Sequence, residues 1–292
     1  MPIMVRPPGF EPGSSAWQAR RIDYRGLRED FIEFLKSRNL NRRYIHCIIS
    51  YLDKYVKVIS EPMDVVRIFS GLSPGQQHNL NRAIRNLFNF LEAQGFNEVY
   101  LSLLRKNIPR DHVGVDLKVP EESDIIKSLR KLPKAPEKYV ALYNLLLDSG
   151  LRLVEGIMLI ERFNPDKCER LSGFYRFPIG EFRGSKQAYY AYFTEVTHKE
   201  ITKLNGKINL DSNNASHYYR KYGYVAPKYL RKFAFDKMIS LGIPESVADF
   251  IQGRVPRRVG AKHYMVLRRQ ADRYYKQYSD YISELRKRIP ST

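Results

Sequence analysis

Five cationic side chains and one tyrosine in the C-terminal half of the sequence lie next to predicted helix and strand boundaries, where active sites are usually built. In chain order, the set is Arg152, Lys186, Lys228, Arg231, Arg254 and Tyr264. Guanidinium groups bind phosphate oxygens through paired N–H donors, and a phenol oxygen can act as a covalent nucleophile. Together these residue types are suited to chemistry on a phosphate group.

Each member of this set has an ordinary explanation when it is taken alone. Arg152 precedes Glu155 by about one helical turn, which is typical of an ion pair on a helix surface. Lys186 falls in a predicted turn, where lysines are usually solvated, and Tyr264 is one of 21 tyrosines. The hypothesis therefore depends on the ordered set. Within it, we interpret Glu155 as a partner that orients Arg152, and we expect no metal ion or other cofactor.

The roles follow from the charge that develops during cleavage. Cations aimed at the non-bridging oxygens lower the barrier, and we assign this role to Arg152 and Arg231, with Arg254 as a third donor. Nearby cations also favour the phenolate of Tyr264, whose reference pKa is about 10. Lys186 is the predicted general acid that protonates the departing 5′-oxygen.

The elements that must position these residues are predicted from hydrophobic periodicity and from chain breakers. A helix rich in leucine ends at Gly150, just before Arg152. Two aromatic and β-branched strands, 174–182 and 187–195, predict a hairpin with Lys186 in its turn. The helices that follow are predicted over residues 215–222, 227–241, 244–252 and 261–287.

The ordered set resembles the catalytic pattern of the tyrosine recombinases, which consists of an Arg, a hairpin Lys, His-x-x-Arg, a His or Trp, and a nucleophilic Tyr. The matching segments are, in order, Ser149 to Glu155, Lys186, Lys228 to Arg231, Gln252 to Arg254, and Tyr264. The resemblance covers about residues 123–275. The ordered set is specific, whereas its individual members are not.

Two positions depart from the usual pattern of this family. Lys228 stands where the family usually has His, and Arg254 stands where it has His or Trp; this combination is similar to archaeal, fuselloviral-type integrases. A lysine has a reference pKa of about 10.4 and is charged at neutral pH, so it accepts a proton only if its pKa is depressed. We therefore interpret Lys228 as stabilising charge, and the proton acceptor stays open.

The resemblance implies a mainly α fold with a small antiparallel β-sheet, in two domains. These are a helical core-binding domain and an α+β tyrosine-recombinase catalytic domain. We predict a flexible tail over 1–22, the helical domain over 23–105, a linker over 106–122 and the catalytic domain over 123–292. Apolar residues at helical spacing support the first domain independently.

One helix of the first domain, which begins at the cap Ser73-Pro74, has an apolar face and a polar face. The polar face carries Gln77, Asn81, Arg82, Arg85 and Asn89. Arg and Asn suit contacts with phosphates and base edges. The face is therefore predicted to bind DNA, and the alternative is a solvated helix surface.

The charge of the sequence points to a polyanionic partner. Lys and Arg total 50 against 31 Asp and Glu, for a net charge of +19, and such a surface attracts nucleic acid. We expect double-stranded DNA at attachment sites as the partner, and the resemblance implies a tetramer of the chain on DNA. We expect no membrane association and no small-molecule substrate, and a cytoplasmic, nucleoid-associated location.

Four tyrosines of the last predicted helix compete with Tyr264 as nucleophile; they are Tyr274, Tyr275, Tyr278 and Tyr281. Three of them follow the i, i+4, i+7 spacing of one helix face, which indicates either a core face or a contact with a neighbouring protomer. Tyr264 is preferred for its short separation from Arg254 and its place near the start of that helix.

The resulting prediction is an integrase, a site-specific recombinase of an archaeal virus or plasmid that acts through a 3′-phosphotyrosine. The alternatives are a catalytically inactive DNA-binding relative, a type IB topoisomerase-like enzyme and an RNA-binding or tRNA-modifying enzyme. The peptide Gly9-Phe10-Glu11-Pro12-Gly13 can be encoded by a sequence that matches the T-arm of a tRNA gene. It predicts a tRNA-gene attachment site that overlaps this gene, with a chance pentapeptide as the alternative.

Overall fold

The computed structural model describes residues 21–111, 114, 116–183, 186–204, 208–254 and 266–289. The chain divides into two units between Val115 and Asp116, and this division falls within the predicted linker. The described residues are mostly helical with a small antiparallel sheet, which confirms the predicted fold class. None of the helices in these residues is both long and apolar enough to cross a membrane.

The first unit is helical around one hydrophobic core. Its helices are α1 (Tyr24–Ser37), α2 (Arg42–Tyr55), α3 (Pro62–Phe69), α4 (Pro74–Ala93) and α5 (Glu98–Lys106), and its strands β1 (Ile22–Asp23) and β2 (Val58–Ile59) pair in antiparallel fashion. Ser73 and Gln76 form a capping box at the start of α4, as the Ser-Pro signal predicts. The apolar face of α4 is buried in the core.

Two predicted boundaries of the first unit are wrong by a few residues. Ile22 was assigned to the tail, but it pairs with Ile59 and is 1% exposed. Ile108 was assigned to the linker, but it is packed in the core of the first unit. Composition sets such boundaries coarsely, because it does not report the tertiary contact of a single apolar side chain.

The second unit combines helices with a three-stranded sheet. Its helices are α6 (Glu122–Lys131), α7 (Glu137–Ser149), α8 (Leu153–Glu161), α9 (Glu195–Leu204), α10 (Ser212–Lys221), α11 (Pro227–Ser240), α12 (Glu245–Ile251) and α13 (Leu267–Lys287). Its strands β3 (Glu169–Arg170), β4 (Tyr175–Arg183) and β5 (Lys186–Phe193) are antiparallel in the order β3-β4-β5. The predicted hairpin is confirmed, except that Lys186 opens β5 and pairs with Arg183 instead of lying in the turn.

The leucine-rich helix α7 runs through the core of the second unit, as predicted. It ends at Gly150, which adopts the left-handed conformation with φ 60°. This is the usual end of a helix at a glycine. The chain then turns immediately through Arg152 into α8, so that the position of Arg152 is fixed by the end of a buried helix.

The last helix, α13, packs against the C-terminal end of α7. The hydroxyl groups of Tyr275 and Tyr278 donate hydrogen bonds to the carbonyl oxygens of Asp148 and Leu147, at 3.0 and 2.8 Å. Both tyrosines are fully buried. Tyr278 of the predicted face therefore lies in the core, and Tyr274 and Tyr281 are half-buried against it. A contact of this helix with a neighbouring protomer stays a prediction. The described helix begins at Leu267, and the part of the predicted helix over residues 261–265 lies outside the described residues.

Candidate active site

Two arginines of the second unit are fixed by backbone carbonyl groups at the ends of α7 and α12. Arg231, on α11, donates from Nη1 to the carbonyl oxygens of Gly150 at 2.7 Å and of Gln252 at 2.6 Å. Arg152 donates from Nη1 to the carbonyl oxygen of Gly253 at 2.8 Å. The two guanidinium groups therefore join four helices: Arg231 lies on α11 and Arg152 opens α8, and the accepting carbonyls lie at the ends of α7 and α12.

Two glycines allow this close approach of chain segments. Gly150 and Gly253 both have positive φ, at +60° and +71°, where side chains are strained. A Cβ at Gly150 would overlap Nε2 of Gln252, and a Cβ at Gly253 would lie 2.7 Å from Cβ of Ala188. The end of α12 thus lies directly on β5, two residues beyond Lys186.

Glu155 has the contacts that an orienting partner of Arg152 requires. Its carboxylate accepts hydrogen bonds from the backbone N–H of Arg152 at 3.0 Å and from Nη1 at 2.8 Å. The side chain is buried at 1% exposure. A carboxylate in the first turn of α8 also suits the positive end of the helix dipole.

Arg254 is the third arginine of the cluster, and its partner was not predicted from the sequence. Nη1 of Arg254 lies 3.2 Å from Oδ1 of Asp249, and its guanidinium lies over the ring of Phe235 at 4.9 Å. A signal for Asp249 was present in the sequence. It is a carboxylate inside the apolar run Val-Ala-Asp-Phe-Ile, five positions before an arginine of the predicted set.

The electrostatics of Arg231 reflect this crowding of like charges. Burial lowers the pKa of Arg231 to about 9, and the charges of Arg152 and Arg254 act in the same direction. Glu155 and Asp249 oppose the shift. Nη2 of Arg231 is buried and finds no hydrogen-bond acceptor among the described residues. An anion at this position would satisfy the donor and offset the repulsion.

Among the described residues, Lys228 forms its ion pair with Asp116, away from the carboxylates and carbonyls that hold the three arginines. Its Nζ lies 2.5 Å from Oδ2 of Asp116, and its side chain is 65% exposed. Lys232 shares the same carboxylate at 3.1 Å. The hydrogen bond to Asp116 raises the pKa of Lys228, so in this arrangement Lys228 is even less able to accept a proton.

The predicted nucleophile lies outside the described residues, in the segment 255–265. Of Lys186 the structure describes the backbone alone. The nucleophilic role of Tyr264 and the acid role of Lys186 therefore stay predictions. Two of the competing tyrosines are poor alternatives, because burial raises the pKa of Tyr275 and Tyr278 well above the ordinary value and no substrate can reach them.

The predicted DNA-binding face of α4 is divided by burial. Asn81 is 3% exposed; its Nδ2 donates to the carbonyl oxygen of Pro109 at 3.0 Å, and its Oδ1 accepts from Nε of Arg85 at 2.6 Å. Both polar atoms of its amide therefore bind groups of the protein itself, because the side chain faces the segment that follows α5. Asn81 is placed to orient Arg85 and not to read a base.

The other members of the α4 face are closer to solvent. Arg82, Arg85 and Asn89 are exposed, and Gln77 is half-buried. Arg82 stacks on the ring of Tyr44 at 4.7 Å, and Asn89 accepts a hydrogen bond from Arg105. Arg82 and Arg85 are open to solvent, and DNA binding by this face stays a prediction.

Comparison with known proteins decides the family. Residues 117–281, more than half of the chain, match the model of a family described as archaeal phage integrase. This chain belongs to that family. The predicted resemblance to archaeal integrases is thus confirmed at the level of the family. None of the curated proteins matches the sequence of this chain.

Solved structures of two recombinases share the fold of the integrase. A lambda integrase dimer bound to a COC′ core site matches with a TM-score of 0.58 at 11% identity, over 88% of this chain and 79% of that chain. The XerH site-specific recombinase, bound to a palindromic difH substrate in a post-cleavage complex, matches with a TM-score of 0.53 at 13% identity, over 88% of this chain and 82% of that one. At these identities the matches show the fold alone, and the predicted two-domain fold class is confirmed.

Proposed function

We propose that this integrase breaks and rejoins double-stranded DNA at a specific attachment site through a 3′-phosphotyrosine intermediate. The observation that carries the proposal is the convergence of Arg152, Arg231 and Arg254 at the ends of α7 and α12. Within it, a buried N–H of Arg231 finds no acceptor among the described residues. This is the arrangement expected of a site for one phosphate group.

The arginines act by binding charge that grows during the reaction. Nη2 of Arg231 donates to one non-bridging oxygen of the scissile phosphate, and Arg152 and Arg254 donate from either side. Because the Nη1 atoms of Arg231 and Arg152 are held by backbone carbonyls, these donors are oriented before DNA arrives. Preorganised donors of this kind lower the barrier most, since they need no rearrangement in the transition state.

Tyr264 supplies the nucleophile and Lys186 the proton. The phenol oxygen attacks phosphorus, the bond to the 5′-oxygen breaks, and Lys186 protonates that oxygen. The cluster of cations favours the phenolate, so a dedicated base contributes less. Rejoining is the reverse step, in which a 5′-hydroxyl attacks the phosphotyrosine. One phosphoester bond replaces another, so the energy of the broken bond is retained for rejoining.

DNA is proposed as the partner on the grounds of charge and of relatives. The net charge of +19 attracts a polyanion, and Arg82 and Arg85 are exposed on α4. The matched lambda integrase and XerH structures are described as bound to a core site and to difH. We propose that four copies assemble on two duplexes, and that the Gly9-to-Gly13 peptide marks an attachment site in a tRNA gene.

The test is a covalent trap on nicked duplexes. Duplexes tiled across the 5′ end of the gene, with a randomised duplex library in parallel, are nicked so that the short 5′-hydroxyl strand diffuses away and rejoining fails. We expect an adduct that survives denaturation, disappears in Tyr264→Phe and persists in the control Tyr274→Phe. An undiminished adduct in Tyr264→Phe would rule out this nucleophile.

The same assay separates the alternatives. DNA binding without an adduct on any duplex would identify an inactive DNA-binding relative. Adducts without sequence preference, together with relaxation of any supercoiled plasmid, would identify a topoisomerase-like enzyme. Codons for Gly9 to Gly13 that break T-arm pairing would end the tRNA-gene hypothesis and leave the recombinase proposal intact.

A further inference from the structure

Two buried carboxylates accompany the three arginines, and only one of them was anticipated. Glu155 holds Arg152, and Asp249 holds Arg254 at 3.2 Å. Arg231, between them, is bonded to backbone carbonyls. Asp249 is 7% exposed, so its carboxylate belongs to the interior of the site and not to a solvated ion pair.

The position of Asp249 is unfavourable for a charged side chain. It lies on α12 between Val247, Ala248, Phe250 and Ile251, all of which are buried. Burial raises the pKa of Asp249 although the charge and hydrogen bond of Arg254 lower it. Burying a carboxylate in this way costs stability compared with an apolar side chain. A contribution outside folding would account for the carboxylate here.

The contacts of Arg254 indicate that the Asp249 carboxylate orients this arginine. Its backbone N–H donates to the carbonyl oxygen of Asp249 at 2.8 Å, which fixes where the side chain leaves the helix end. Its guanidinium is then held by the Asp249 carboxylate and by the face of the Phe235 ring. Among the described residues, Asp249 is the one hydrogen-bond acceptor of this guanidinium.

We propose that Asp249 is a positioning residue for strand cleavage: its carboxylate holds the Arg254 guanidinium in the orientation that lets Arg254 share one phosphate with Arg231 and Arg152. The inference rests on the proposed function. The side chain of Arg254 is 38% exposed, and without this anchor it would gain rotational freedom in solvent. The carboxylate also offsets the repulsion between Arg254 and Arg231.

The experiment measures single-turnover adduct formation on a nicked duplex. In Asp249→Asn we expect the rate to fall by about 10-fold to 100-fold, the size of a hydrogen bond between charged partners. We expect the duplex affinity to change much less than the rate. Asp249→Glu should restore part of the rate. The matched control is Asp236→Asn, which removes an exposed carboxylate from α11 and should react like the wild type.

A double-mutant cycle separates positioning from a structural role. If Asp249 acts through Arg254, Asp249→Asn causes no further loss of rate in an Arg254→Met background. An equal loss in both backgrounds, or a wild-type rate in Asp249→Asn, would overturn the inference. Thermal unfolding of each variant shows whether a loss of rate follows a loss of folded protein.

A second measurement does not depend on recombination. In ¹⁵N-arginine NMR of the full chain, the Nη signals of Arg254 should be separate in the wild type, because rotation is restricted, and should merge in Asp249→Asn. Merged signals in both proteins would overturn the inference. No adduct from the wild type on any duplex would instead contradict the proposed function, and the NMR result would then decide the positioning by itself.

Discussion

Arg231 and Lys228 lie one turn apart on α11, yet they are held in opposite ways. Arg231 is half-buried, and its Nη1 bridges two backbone carbonyl oxygens. Lys228 is 65% exposed and contacts the carboxylate of Asp116. One cation is therefore fixed by the main chain at two helix ends, and the other by a single side chain in solvent.

Arg231 is a preorganised cation, because its orientation is set by the main chain. Lys228 is an exchangeable cation, because another anion can take the place of its side-chain partner. A guanidinium bonded to main-chain carbonyls keeps its orientation whether or not DNA is present. An exposed ion pair contributes little free energy, so a phosphate can replace Asp116 at Lys228. The arginine cluster is therefore expected to contribute most to the rate of cleavage. The lysines of α11 are expected to contribute less to the rate and to affect the affinity for DNA.

The largest effect is expected at the fixed cation. Arg231→Lys keeps the charge but loses the planar fork that bonds two carbonyls and a phosphate together. Single-turnover adduct formation should fall by about 100-fold to 1000-fold, as on removal of a preorganised donor. Arg220→Lys, an exposed position on α10, serves as the control. A rate close to that of the wild type in Arg231→Lys would contradict the view that the fixed guanidinium of Arg231 matters more for cleavage than the exposed Lys228.

The next effect concerns the glycines that let the carbonyls approach. Gly253→Ala should lower the free energy of unfolding by about 2–5 kcal/mol, because a left-handed residue is strained and the new Cβ meets Ala188. Gly150→Ala should cost a similar amount, since its Cβ meets the buried Gln252 side chain, whose Nε2 donates to the carbonyl oxygen of Arg231. Gly242→Ala should cost least, because it has positive φ and no neighbour within 4 Å. Urea unfolding would measure this order, and equal losses in all three variants would contradict it.

A smaller effect is expected at the exchangeable cation. Lys228→Met should slow adduct formation by about 10-fold, because a mobile ammonium group stabilises the developing charge less than a fixed fork does. Lys199→Met, which removes an exposed lysine from α9, is the control. A loss as large as that of Arg231→Lys would show that Lys228 joins the fixed cluster once DNA is bound.

The smallest effect, and of opposite sign, is expected at the partner of Lys228. Asp116→Asn releases Lys228 and Lys232 for phosphate, so affinity for a duplex should rise by about two- to five-fold at low salt and less at high salt. Stability should change little, because the ion pair is exposed to solvent. Fluorescence anisotropy over a salt series would measure the affinity. An equal rise in Asp166→Asn would show that net charge alone is responsible.

Much of the fold was predictable because its signals are local. The periodicity of α4 and α7, the Ser73 cap and the glycine at the end of α7 each depend on residues within a few turns of one another. Lys186 was placed one position too far into the turn, since the sequence does not show where strand pairing stops. Burial of Asn81 was missed because its partner at Pro109 belongs to a later segment.

The sequence by itself determined the charge, the helical faces and the order of the arginines along the chain. It also determined the family, because that order is specific. Only the tertiary structure decided which groups these arginines contact. Lys228 meets Asp116 across 112 positions, and Arg152 meets the carbonyl of Gly253 across 101. The physical reason is that periodicity reports which face of an element is buried, whereas the partner of a polar group depends on which other element is packed there.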